Sequence, residues 1–537
     1  MLHDALLLHL GDTEPLRFVA AGGGISGLTL FSSKRAEITA SGDISDAALY
    51  IQNVASSDIS TVSAGGSITL YDPQSTLRSD AVAVSELVNN SQYAQDAFPS
   101  GDLQISGPGS LEVLAAKSID LGNDMGYPGD TTIWNGITSI GNARNLALPF
   151  QGADLVVGSG ANLPLGLASE GGLGLSAFVS TVLSGPEGTK YLSELADAMT
   201  YSGHPVTGSM TEESFAPGSS QFTPGERALL ELQLFYIVLR DTGRNYNKVG
   251  STGYKSYASG EEAIKSFFND STTSGSVTTW SRDIRTKNGG NIGIFAPGGG
   301  LTLASTQVAG LQTTPGIVTE HGGGINIFTQ DNVDIGIGRI FTLRGGDIMI
   351  WSDKGNIAAG ASAKTVASAP PTRVLIDPQS GDVQTDLAGL ASGGGIGVLD
   401  TVEGIPPGNV DLIAPSGVID AGDAGIRSSG NLNLAATKVL NADNIAASGS
   451  TAGAPPAAPP PAAPNVSGAT AASSASAANN SAAQNATKQN TTEPPEPAPS
   501  IISVDVLGYG GAKGDDEEDQ GEKKSAGAGT SPPQASL

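Results

Sequence analysis

Short aliphatic alternations punctuated by glycine set the pattern of this chain. Gly42-Asp43-Ile44, Gly66-Ser67-Ile68-Thr69-Leu70 and Gly101-Asp102-Leu103-Gln104-Ile105 come first. Gly290-Asn291-Ile292-Gly293-Ile294, Gly324-Ile325-Asn326-Ile327, Gly346-Asp347-Ile348-Met349-Ile350 and Gly430-Asn431-Leu432-Asn433-Leu434 follow. A period of two with one aliphatic face predicts strands buried on one side. Each run is too short to bury that face alone. Recurrence after about 20 residues, one turn of a solenoid, lets every turn cover the next. The reading is an all-β solenoid, a parallel β-helix. Roughly fifteen coils at about 4.8 Å each give a rod on the order of 70 Å.

The period changes in the middle. Residues 1–158 and 276–449 carry the coil pattern, whereas 159–275 read as a mostly helical insertion budding from the stack. Thr223-Pro224-Gly225-Glu226 spells a helix start, with Thr as N-cap, Pro in the first turn and Glu closing a capping box. Leu229, Leu230, Leu232, Leu234, Phe235, Ile237, Val238 and Leu239 surround that helix with apolar side chains, so it is expected to be buried. Gly243 is placed as its end. Tyr191, Leu192, Leu195 and Met199 lie at helical spacing, as do Ala263, Ile264, Phe267 and Phe268 after the capping-box spelling Ser259-Gly260-Glu261-Glu262. Such an insertion either carries binding function or shields one face of the rod. Residues 450–500 form an Ala/Pro/Ser/Asn-rich tail expected to be disordered. Residues 501–537 hold a strand-like phrase, Ile501 to Gly510, and the acidic cluster Asp515 to Asp519.

Composition narrows the function classes. The 537 residues contain 73 Gly, 5% aromatics and no Cys, and carry a net charge of −26. That charge argues against nucleic acid, which needs clustered Lys and Arg, and against adsorption on anionic membranes. Without Cys there are no thiolate metal sites and no disulfides. No stretch reaches 18 apolar residues, so no membrane span is expected, and Met1 to Leu10 lacks the basic start of a signal peptide.

No catalytic, cofactor-binding or metal site is assigned, and no cofactor is expected. His3, His9, His204 and His321 lack H-E-x-x-H spacing, and His321 reads as a turn residue before Gly322-Gly323-Gly324. Ala21-Gly22-Gly23-Gly24-Ile25-Ser26-Gly27 lacks the Gly-Lys-Ser/Thr of a phosphate loop. Asp420 with Asp423, and Asp331, Asp334 and Asp347, are the best carboxylate sets for sugar chemistry or calcium. The preferred reading is that they cap turns through the neighbouring backbone. Asn465, Asn479, Asn485 and Asn490 fit the N-glycosylation spelling by chance in an Asn/Ser/Thr-rich tail.

Several phrases between Asn291 and Gly449 carry a resemblance. They are Phe341-Thr342-Leu343-Arg344-Gly345-Gly346-Asp347-Ile348, Trp351-Ser352-Asp353-Lys354-Gly355-Asn356-Ile357, Pro407-Gly408-Asn409-Val410-Asp411-Leu412-Ile413-Ala414-Pro415, Asp420-Ala421-Gly422-Asp423-Ala424-Gly425-Ile426-Arg427 and Ala442-Asp443-Asn444-Ile445. The section resembles the C-terminal part of large bacterial exoproteins of the filamentous haemagglutinin family. The resemblance implies a right-handed parallel β-helix and two-partner secretion through an outer-membrane transporter. It further implies a secreted or surface-attached adhesin that contacts a host-cell or abiotic surface, including its glycans. The Asn-Pro-Asn-Gly motif of the family's secretion domain is absent, so the chain reads as a C-terminal fragment of a longer exoprotein. A non-enzymatic stalk and contact surface is the expected role. The alternatives are a β-helical carbohydrate lyase or hydrolase using Asp420 and Asp423, or a segment that controls export.

Overall fold

The structure is a computed structural model that describes residues 7–72, 75–77, 101–122, 135–163, 166–168, 175–201, 209–216, 219–268, 272–304, 315–360, 373–376, 383–386, 393–399 and 404–455. The tail from residue 456 onward, with the Ile501 phrase and the acidic cluster, lies outside these residues, as do His3 and His204.

Alternating sequence becomes stacked strands in three columns, all joined in parallel. The first column comprises Leu16–Ala20, Ala36–Ala40, Ile59–Ala64, Ser110–Ala115, Asp154–Ser159, Ile292–Ala296, Ile325–Thr329, Ile348–Ser352, Val410–Asp420, Leu432–Leu440 and Thr451–Ala452. The second holds two-residue strands such as Ile44–Ser45, Ile119–Asp120 and Leu301–Thr302, and joins the first in one nineteen-stranded sheet. The third is a ten-stranded sheet running from Thr29–Ser32 to Ile445–Ala447. This is a parallel β-solenoid with three strands per coil.

The register explains the aliphatic alternation. Ile38, Val62, Val113, Val157, Ile294, Ile327, Ile350, Leu412 and Leu434 stand directly above one another, rung by rung. All are buried in one continuous core. Removing each such side chain from water contributes about 1.5–3 kcal/mol, and only the neighbouring coil can supply that burial.

Corners account for the Gly-Asn and Gly-Asp spelling. Asp347 Oδ1 accepts the Asn409 backbone N–H at 2.8 Å, Asn409 Oδ1 accepts that of Asn431 at 3.0 Å, and Asn431 Oδ1 accepts that of Ser450 at 3.0 Å. A second ladder runs from Asn332 through Asn356 to Val418. The side chain of one coil thus satisfies a backbone donor of the next, a need that every buried turn must meet. Inside, the Thr286, Thr319 and Thr342 hydroxyls each donate to the carbonyl of a corner glycine four residues on, Gly290, Gly323 and Gly346. Those glycines hold φ near +90°, where a Cβ is strained.

Two departures from the expectation concern the stack. The described residues hold eleven first-column strands, not fifteen coils, so the column is about 48 Å tall at about 4.8 Å per step. Between two first-column strands, Asp154–Ser159 and Ile292–Ala296, the described chain leaves the columns for the helical segment. Another excursion is an antiparallel hairpin, Arg373–Ile376 with Val383–Asp386, within the stretch read as coil. Counting residues therefore overstates coils.

The central segment forms four α-helices: α1 (Leu175–Leu183), α2 (Gly188–Tyr201), α3 (Pro224–Asn247) and α4 (Ala258–Phe268). Thr223 and Glu226 make the reciprocal capping box that starts α3. Gly243 does not end the helix, which continues to Asn247. A Cβ on Gly243 would lie 2.3 Å from Ile413 Cγ1, so this glycine is there for close approach to the sheet. Likewise α4 begins at Ala258, one residue ahead of the expected cap, and Gly260 lies inside it against the Trp351 ring. Among the described residues no helix is long and apolar enough to cross a membrane.

Candidate functional site

Outward-facing positions of the first column decide where the helices lie. One outward row reads Thr39, Ser63, Leu114, Gly158, Phe295, Phe328, Trp351, Ile413 and Ala435 in register. An outward row turning apolar and aromatic needs a cover. The helices provide it: Leu114, Phe295, Phe328, Trp351, Ile413 and Ala435 share one buried cluster with Phe178, Phe235, Phe267 and Phe268. Phe235 stacks on Phe267 at 4.5 Å and meets Phe328 edge-on at 5.3 Å. These offset and edge-on contacts each add about 0.5–1.5 kcal/mol beyond area burial.

The insertion is therefore a strap laid along the stack and does not bud away from it. Helix α3 contains 24 residues, about 36 Å of helix. It begins with Gly225 against Ile59 and ends with Asn247 donating to Asn433 Oδ1 and the Leu434 carbonyl, both at 2.9 Å. Those contacts lie on first-column strands seven steps apart, about 34 Å. Tyr236 donates to the Ile294 carbonyl at 3.0 Å midway. Near the end, Arg244 grips Asp411 through Nε and Nη2 at 2.7–3.1 Å. Asp411 is 1% exposed; burial pushes its carboxyl up and Arg244 pulls it part of the way back. Two-point ionised contacts of this kind fix orientation as well as adding energy. Arg240 holds Glu194 at 2.6 Å, and Lys190 meets Asp241, tying α2 to α3.

Two hollows flank the start of α3. One, of about 120 Å³, lies between α2, α3 and the first column; Val156, Met199, Leu229 and Leu230 line it, with Asp154 and Asn291 at its polar side. The other, of about 580 Å³, lies among residues 9–13, the 54–58 loop and the α3 N-terminus, and reaches Arg35, Glu37, Asp58, Thr61 and Glu112. Glu112 is buried, accepts the Leu167 N–H at 3.0 Å, and is pushed up to about 7 by burial. Burial also raises Asp154 to about 6, against the pull of its bonds from Asn291.

The carboxylates singled out by sequence sit at corners away from both hollows. Asp420 Oδ1 accepts the Gly422 N–H at 2.8 Å and the Asn441 amide at 2.6 Å, and Asp334 Oδ1 accepts the Gly336 N–H at 3.0 Å. Asp347 belongs to the asparagine ladder. The backbone N–H of Asp423 donates to Gly360, and the carbonyl of Asp331 accepts from Thr329 and Ser352. His321 donates through Nδ1–H to the Lys287 carbonyl at 2.6 Å beside its corner glycines, and burial lowers its pKa. His9 faces Asp12 at 3.3 Å. Among the described residues no group of three or more His, Asp or Glu could hold a metal ion.

Residues 345–456, comprising the last coils, their corner ladder and the Asp411 clasp, match the family described as filamentous haemagglutinin family outer membrane protein. That stretch fits the C-terminal region of a filamentous haemagglutinin family protein. The haemagglutinin-like region contains Ile413 and Asp411, on which the end of α3 rests, so the strap is fastened onto it from a segment more than a hundred residues upstream. No curated protein and no solved structure matches the chain.

Sequence reasoning missed Glu112, Asp154 and the Arg244–Asp411 clasp. No local signal marks the clasp: Asp411 alternates with the inward Val410 and Leu412 as Asn433 does with Leu432 and Leu434, and its burial comes from α3, far away in the chain.

Proposed function

We propose that this chain is a rigid contact segment of a secreted or surface-attached adhesin. The stack is the stalk, and the loops and the strapped face supply specificity. The observation that carries the reading is the haemagglutinin family match falling on the solenoid itself, at the coils that fasten the strap. A rod of stacked coils presents repeated contacts along its length, so weak single contacts sum through avidity. In this reading the parent protein leaves the cell by two-partner secretion through an outer-membrane transporter, and its targets are host-cell or abiotic surfaces and their glycans.

The test is attachment. Beads coated with the purified chain should bind epithelial cells or glycan-coated surfaces above beads coated with a solenoid of matched charge. Deleting the segment from its parent should lower bacterial attachment. Equal binding by the control beads, together with unchanged attachment after deletion, would remove the adhesin reading.

A further inference from the structure

The smaller hollow beneath the strap has the size and lining of a ligand site. It opens to solvent, and its volume, about 120 Å³, is near the roughly 150 Å³ that holds one benzene ring. Met199, Leu229, Leu230 and Val156 make its apolar wall. Its polar side is not random. Asp154 is positioned by the corner ladder: Oδ1 accepts both the backbone N–H and the side-chain amide of Asn291, at 2.7 and 3.3 Å. The second oxygen, Oδ2, makes no hydrogen bond to a described residue, and with Asp154 half-buried on the lining it is open to water or a ligand. A pure hydrocarbon would cover that oxygen without replacing its water, which is costly. A carboxylate ligand would meet Asp154 and Glu226, both on the lining, and be repelled. An ammonium would have three donors to satisfy in a mostly apolar space.

We infer that the hollow between α2, α3 and the first column binds a single phenol ring, with the ring against Met199, Leu229 and Leu230 and the hydroxyl donating to Asp154 Oδ2. The chemistry is that of a free small phenol or of a tyrosyl side chain presented by a partner. Ser56, Ser57, Glu226, Gln233 and Asn326 also line the hollow and add polar contacts for whatever carries the ring.

The experiment titrates the full chain with p-cresol, toluene, benzylamine and N-acetyl-tyrosinamide, read by calorimetry and by transfer of magnetisation from ligand to protein methyls. p-Cresol should bind roughly tenfold more tightly than toluene, the ratio expected of a hydrogen bond to a charged acceptor. Asp154→Asn should shrink that ratio several-fold, and Met199→Trp, which fills the space, should abolish binding of both. Contacts from p-cresol protons to the Met199, Leu229 and Leu230 methyls locate the ring in the unaltered chain, so the conclusion does not depend on either variant folding. Binding of N-acetyl-tyrosinamide assigns the site to a tyrosyl side chain; its exclusion while p-cresol binds assigns it to a free phenol. Equal affinity for toluene and p-cresol, preference for benzylamine, or no contact with those methyls would each overturn the inference.

Discussion

The stack and the strap are stabilised in opposite ways. In the stack, one interaction is repeated: Ile38, Val62, Val113 and their successors form a column in which every member meets two near-copies of itself. In the strap, nothing repeats. Phe235, Phe267 and Phe268 fill one side, Arg244 grips Asp411, and three glycines, Gly225, Gly243 and Gly260, each let a helix close on a particular side chain of the stack. A repeat tolerates insertions between rungs because each rung needs only its neighbours. The strap tolerates none within α3, since its two ends are set by strands seven steps apart.

If this contrast holds, truncating the column gives the largest effect. Leu412→Ala or Ile348→Ala should cost about 2–5 kcal/mol in urea unfolding, because both point into a core with no room to relax. Indifference at both positions would mean that the coil faces are assigned the wrong way round.

Next in size is an effect of pH. Glu112 is buried and its carboxyl sits at about 7 against an ordinary 4.5. The folded chain therefore holds this proton more tightly than the unfolded chain. The contribution is fully present below about 4.5 and is lost as pH rises through about 7, a swing on the order of 3 kcal/mol. Urea midpoints measured from pH 5 to pH 8 should fall with pH, and Glu112→Gln should make the fall shallower, with Asp154 and Glu231, which burial also raises to about 6 and about 7, carrying the remainder. An unchanged slope in that variant would place the titration elsewhere.

Arg244→Ala sharpens the comparison from the strap side. It leaves Asp411 buried without its cation, at an expected cost of about 2 kcal/mol. The same stability loss should appear as faster exchange of α3 backbone amides. The smallest effect is the most diagnostic in sign. Gly243→Ala in a free helix gains up to about 1 kcal/mol. Here the added carbon meets Ile413 at 2.3 Å, so a net loss of about 1 kcal/mol is expected. A more stable variant would show that α3 does not rest on the sheet.

The same contrast explains what was legible in the sequence. Repetition is visible by inspection, so Gly-Asn and Gly-Asp corners with alternating aliphatics gave the parallel solenoid, and Thr223-Pro224-Gly225-Glu226 gave the start of α3. Where the helices lie was not read, because it depends on residues facing outward across coils. Phe295, Phe328 and Trp351 occupy equivalent outward positions in three different phrases, and only stacking brings them into one row. Gly243 was misread because glycine serves both as a helix stop and as a contact point, and local spelling does not separate the two. Of the carboxylates read as turn caps, Asp420 and Asp334 accept the N–H two residues on, whereas Asp347 reaches the Asn409 N–H of the next coil. Glu112 and Asp154, whose surroundings are built by distant segments, gave no local sign.

Hydrogen exchange under native conditions tests the central claim, that strap and stack are one cooperative body, most directly. Amides of Leu230–Leu239 in α3 and of Ile325–Thr329 and Ile348–Ser352 in the column should open with the same free energy and the same denaturant dependence. Opening of the α3 amides several kcal/mol below those of the column would contradict the account and reduce the strap to a loosely attached domain.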